Sequence, residues 1–133
     1  MQRCPACNAR LSAGTNCPRC GADLSQVIRS ERLAEQWLSV SLQSLSVGRP
    51  DLAVAAIRRS LSFKQMPEAK LVKGFLIKLQ YKALYDKVGQ QYWPEARNTL
   101  DRLRILQGEN ETLLRFDEMI GYLSAQSDSE RSK

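Results

Sequence analysis

Four cysteines open the chain in two tight pairs, Cys4 with Cys7 and Cys17 with Cys20, and no other cysteine follows in its 133 residues. A C-x-x-C turn places two sulfurs on one side of an ion, and two such turns facing each other supply the four soft ligands of a closed tetrahedral zinc site. Protein atoms then fill every coordination position, so the site is structural rather than catalytic. The same pairs suit two other chemistries, thiol–disulfide exchange and the binding of iron or an iron–sulfur cluster. Redox work of the thioredoxin kind needs its C-x-x-C at a helix start after a strand, and no βαβ pattern surrounds these pairs.

The flanking residues fit metal-holding turns. Pro5 and Pro18 follow the first cysteine of each pair and restrict the chain. Gly21 follows the second pair, and Asn8, the next most tolerant residue of positive φ, holds the matching place after the first. This stretch resembles the short zinc-ribbon modules near the N-termini of bacterial proteins, written C-P-x-C-G … C-P-x-C-G-A-x-L. The resemblance covers about residues 1–24 and departs at Asn8, where the family has glycine. It implies Cys4, Cys7, Cys17 and Cys20 as ligands of one structural Zn2+ per chain. Four thiolates subtract four from the formal +6 and one zinc restores two, leaving +4.

Elements of a different kind must carry this module. From Ser25 onward apolar residues recur at three- and four-residue spacing, and five helices are expected. The first is SQVIRSERLAEQWLSVSLQSLSVG, capped by Ser25 and ended by Gly48; PDLAVAAIRRSLSF begins at Pro50. PEAKLVKGFLIKLQYKALYDKV runs from Pro67 and stops before Gly89, PEARNTLDRLRIL starts at Pro94, and NETLLRFDEMIGYL starts near Asn110. The predicted division is a zinc ribbon over 1–24, an all-α domain over 25–124, and a flexible polar tail over 125–133.

Short connections imply antiparallel hairpins. Trp37, Val40, Gly48, Ala53, Ile57 and Ser60 fall at the offsets of a tetratricopeptide repeat, and Tyr85, Gly89, Ala96, Leu100 and Leu103 repeat the order with a longer turn. Residues 30–107 thus resemble degenerate tetratricopeptide repeats, with Ser41 and Ser44 replacing the family's Gly and Tyr and a final helix like a capping helix. The resemblance implies five antiparallel helices stacked as hairpins, and a concave face that receives another protein. On it Leu38, Leu42 and Leu45 would point inward, although packing against the neighbouring hairpin accounts for them better. Lys70, Lys73, Lys78 and Lys82 would steer an acidic partner toward the middle of the domain.

Catalysis is not expected: the chain has no histidine, no phosphate-binding glycine loop and no nucleophile motif. The leading reading is therefore a zinc-binding adaptor that docks a protein with an acidic surface. Opposite charge in the basic middle and the acidic last helix, with Glu109, Glu111, Asp117 and Glu118, also allows a homo-oligomer. The alternative is a nucleic-acid-associated regulator that uses the ribbon and the basic helices with Tyr81, Tyr85, Tyr92 and Trp93. It is the weaker reading, because residues 1–24 contain no aromatic residue and the charge of a zinc tetrathiolate cancels their arginine excess. No apolar run is long enough for a membrane span and no secretory h-region opens the chain, so a reducing, cytoplasmic setting without membrane attachment is expected.

Overall fold

The computed structural model describes residues 2–11 and 14–131, with side chains as far as Ser127. Its N-terminal part consists of two hairpins that repeat one plan. Cys4 N–H donates to the Ala9 carbonyl and Cys17 N–H to the Ala22 carbonyl, both at 2.9 Å. Asn8 N–H closes back on Cys4 O at 2.8 Å, and Gly21 N–H on Cys17 O at 2.9 Å. Asn8 and Gly21 take φ values of 62° and 73°, the left-handed conformation that lets the chain reverse after each second cysteine. One antiparallel bridge finishes each hairpin, Arg3 with Arg10 and Asn16 with Asp23. Leu24 and the half-buried Leu11 and Ile28 pack against the cysteines as a small separate core.

The second hairpin runs straight into helix α1 (Ser25–Ser46). Ser25 lies inside this helix and does not cap it: the Asp23 carboxylate accepts the Ser25 N–H at 3.0 Å, and the Leu24 carbonyl accepts the Ile28 N–H at 2.9 Å. Hydrogen bonding to Ser25 holds the Asp23 carboxyl below its usual range. The last turn of the cysteine module is therefore also the first support of the helical domain.

Four more helices follow: α2 (Pro50–Phe63), α3 (Pro67–Gly89), α4 (Trp93–Gln107) and α5 (Glu111–Arg131). Prolines open three of them, where the missing N–H has no partner to lose. Asn110 caps α5 by accepting the Leu113 N–H at 2.9 Å. Two ends depart from the sequence-based expectation. Helix α3 continues through Gly89, and the left-handed residue that stops it is Gln91, at φ 62°, with Tyr92 N–H returning to Lys87 O. Helix α5 continues to Arg131, into the segment expected to be a polar tail, because neither glycine nor proline follows Gly121 to stop it.

The side-chain contacts fix the directions of the helices. Ser41 Oγ donates to Ala53 O at 2.8 Å and Ser60 Oγ to Ala34 O at 2.6 Å, so α2 runs back along α1. Gln80 meets Arg102 and Lys87 meets Glu95 across α3 and α4; Arg97 meets Ser124 and Arg104 meets Asp117 across α4 and α5. Each of these three pairs is antiparallel. One core joins Ala34, Ala53, Ile57, Ala69 and Leu76 with Leu106 of α4. A second joins Leu84, Leu100, Leu103, Leu113 and Ile120, and Ile77 packs against both. Among the described residues there is no strand beyond the two isolated bridges, so the domain is all-helical.

The α1–α2 seam is built of small residues, with Ala34, Ser41, Ala53 and Ser60 fully buried. Small side chains let the backbones approach, and the two serines satisfy their hydroxyls on the facing helix. Replacing Ser60 by Ala should lower stability by about 1 kcal/mol through the lost hydrogen bond. Ser41→Leu should cost about 1–3 kcal/mol by forcing the helices apart. Urea unfolding of both variants checks the order; equal stability to the wild type for Ser41→Leu would contradict this packing.

Candidate metal centre and the helical surfaces

The two hairpins face each other and bring all four sulfurs together. Cys4 Sγ lies 3.7 Å from Cys20 Sγ, and Cys7 Sγ lies 3.6 Å from Cys17 Sγ. All four sulfurs lie within 4.8 Å of one another. A disulfide would require about 2.05 Å, and all four cysteines are free. With Zn–S bonds of about 2.3 Å, the edge of a tetrahedron is about 3.8 Å. The spacing fits a four-sulfur metal site and does not fit a bonded pair. The close contacts link the first cysteine of one hairpin to the second cysteine of the other, so an ion here would tie the two hairpins to each other.

The electrostatics of the cluster ask for a cation. The Cys20 backbone N–H, with lesser help from Arg19 and the neighbouring sulfurs, holds the Cys17 thiol down to about 6. At Cys20 the backbone N–H of Ala22 favours the thiolate, but the sulfurs of Cys17, Cys7 and Cys4 outweigh it and push the thiol up to about 12. Once Cys17 ionises, its neighbouring sulfur keeps Cys20 protonated. A divalent ion removes that repulsion and displaces the remaining protons. Cys4 and Cys17 are buried and Cys20 is exposed, so the metal would sit at the module's edge with one ligand facing water.

The residues expected to bind a partner are not gathered into one place. Leu38 and Leu45 pack against the first core, whereas Leu42 is exposed on α1. Lys73 is half-buried on the side of α3 that carries Gln80 and Leu84, while Lys70, Lys78 and Lys82 are exposed. Lys78 and Lys82 share a helical face with Leu71 and Phe75, which are 75% and 53% exposed. That pair of bare apolar residues escaped the sequence reading because their spacing also fits a helix buried on two sides.

Several aromatics are engaged within the chain. Tyr81 accepts from Gln107 Nε2 at 2.7 Å, Tyr85 meets Phe116 edge-on at 5.5 Å, and Lys87 lies over Tyr92. Most of the acidic end is engaged as well. Arg104 of α4 holds Asp101, Glu109 and Asp117 at 2.9–3.1 Å, and Glu111 pairs with Arg115. No family model matches the chain, and neither a curated protein nor a solved structure matches it.

Cys17→Ser should abolish tight binding of one Zn2+ per chain, read by titration against a chromophoric chelator. Stripping the metal should raise amide exchange through residues 2–24 and the first turn of α1, and leave the cores of α2 to α5 protected. Because Cys20 must lose its proton, metal binding at pH 7 should release acid. Affinity should fall as pH drops below about 6, where Cys17 also becomes protonated. Binding without proton release would contradict thiolate ligation.

Proposed function

We propose that this chain is a non-enzymatic, zinc-binding adaptor of the cytoplasm: the four cysteines hold one structural Zn2+, and the helical domain docks another protein in the manner of tetratricopeptide stacks. The observation that carries the reading is the face of α3, where Leu71 and Phe75 stand bare beside Lys78 and Lys82. Leucine and phenylalanine left in water at adjacent helical positions are the composition of a contact surface, and flanking lysines orient an acidic partner. The fit of the four sulfurs to a closed tetrahedron supports a structural role for the metal. Among the described residues no helix is long and apolar enough to cross a membrane.

The experiment is affinity capture from the native cell, with the intact chain compared against Leu71→Ser/Phe75→Ser. Both residues are exposed, so the double variant should keep its melting temperature and lose the captured protein by at least tenfold. Capture should depend weakly on salt; a steep salt dependence with released nucleic acid would support the regulator reading instead. Unchanged capture by the double variant would remove this face from the proposal.

A further inference from the structure

On a different face, α2 and α4 part to leave a cleft of 450 Å3. Asp51, Ala55, Arg58 and Ser62 line it from α2 at spacings of four, three and four residues, which is one helical face. Ala55, the smallest side chain of the lining, sits within that row. Val54 and Ile105 supply apolar walls, and Arg59 and Arg102 complete the lining.

Three arginines thus line one cavity, and Arg58 and Arg102 keep N–H groups without an acceptor among the described residues. Arg58 makes no hydrogen bond or ion pair among the described residues. Arg59 rests over the Trp37 ring at 5.7 Å, a contact that leaves its N–H groups for other use. Arg102 is aimed. Its Nε donates to Gln80 Oε1 at 2.8 Å and its Nη2 to Thr99 Oγ1 at 3.2 Å, while Nη1 has no acceptor among the described residues. Gln80 and Thr99 are 3% and 1% exposed, and burying such groups is unfavourable unless they bind something. Both accept from this arginine, and Thr99 also donates its hydroxyl hydrogen to Glu95 O at 2.9 Å. The only carboxylate in the lining, Asp51, is paired with Arg49 at 3.5 Å. Ser62 spends its hydroxyl hydrogen on Arg59 O at 2.6 Å, so the outward donors are the arginines.

We propose that this cleft is a binding site for a phosphate monoester, with the oxyanion on Arg58, Arg59 and Arg102 and the aliphatic carrier against Ala55, Val54 and Ile105. Planar guanidinium forks match phosphate oxygens two at a time. Asp51 is already taken by Arg49, so the three arginine charges of the lining are enough to balance the nearly two negative charges of a phosphomonoester at neutral pH. No aromatic ring lines the cleft to stack a base, so a compact ester suits it better than a nucleic-acid strand. The carrier is either a free metabolite or a phosphorylated side chain; the phosphate chemistry is shared.

The zinc-loaded full chain is titrated with glycerol 3-phosphate, with a phosphoserine peptide and with its unphosphorylated form, at constant ionic strength set by chloride. Nε–Hε resonances of the arginines and calorimetry are the readouts. A phosphate ester should shift the Arg58, Arg59 and Arg102 signals, and the unphosphorylated peptide should not. Arg58→Gln should weaken binding about tenfold or more, the loss of one charge-assisted contact. Ala55→Leu, which fills the gap without altering charge, should weaken it as much while the melting temperature holds. Tighter binding of the peptide assigns the site to a phosphorylated protein, and tighter binding of glycerol 3-phosphate assigns it to a metabolite; either upholds the site. The proposal is overturned if chloride alone gives the same shifts, or if Ala55→Leu binds as the wild type does. It is also overturned if a single-stranded oligonucleotide binds the arginines equally well in both chains.

Discussion

Four sulfurs gathered within 4.8 Å set the terms for the first 24 residues. As thiols they are weak partners for one another, and as thiolates they repel, so a cation among them would hold the cluster together. The two hairpins contribute little else. Their shared core is Leu24 with the cysteines and a few half-buried side chains, far too small to fold unaided. An ion bound there would replace the hydrophobic core that so short a segment cannot build.

The same constraint reaches the helices through covalent and hydrogen-bonded continuity. Asp23 belongs to the second hairpin by its bridge to Asn16, and its carboxylate holds the first N–H of α1. Order in the cysteine module thus fixes where α1 begins. Beyond that first turn the helical domain depends on its own devices: small residues and serine hydroxyls along the α1–α2 seam, leucine packing between α3, α4 and α5, and Arg104 tying the end of α4 to α5. Its two cores share no residue with the module, so a metal ion would stabilise one end of the molecule while packing stabilises the remainder.

Much of this was legible in the residues. Paired cysteines with Pro5, Pro18, Asn8 and Gly21 specify two matching turns, because few other residues accept those backbone angles. Proline starts and apolar spacing place α2 to within a residue and α3 and α4 nearly as well. What failed to show was whatever depends on a neighbour. Leu38 and Leu45 resemble Leu42 in sequence, and only the approach of the other helices buries the first two. Gln91 reverses the chain after α3 although Gly89 lies nearby, because hydrogen bonds back to Val88 and Lys87 form there. Gln80 looks like a surface residue, and its burial against Arg102 appears only when α4 folds over it. The acidic end reads as free charge in sequence, yet Arg104 collects two of its carboxylates, Glu109 and Asp117, together with Asp101.

X-ray absorption at the metal edge of the purified protein tests the central claim most directly. Four sulfur neighbours at about 2.3 Å from a single zinc per chain is the predicted result. A protein free of metal whose sulfurs instead lie about 2.05 Å apart in disulfides would contradict it.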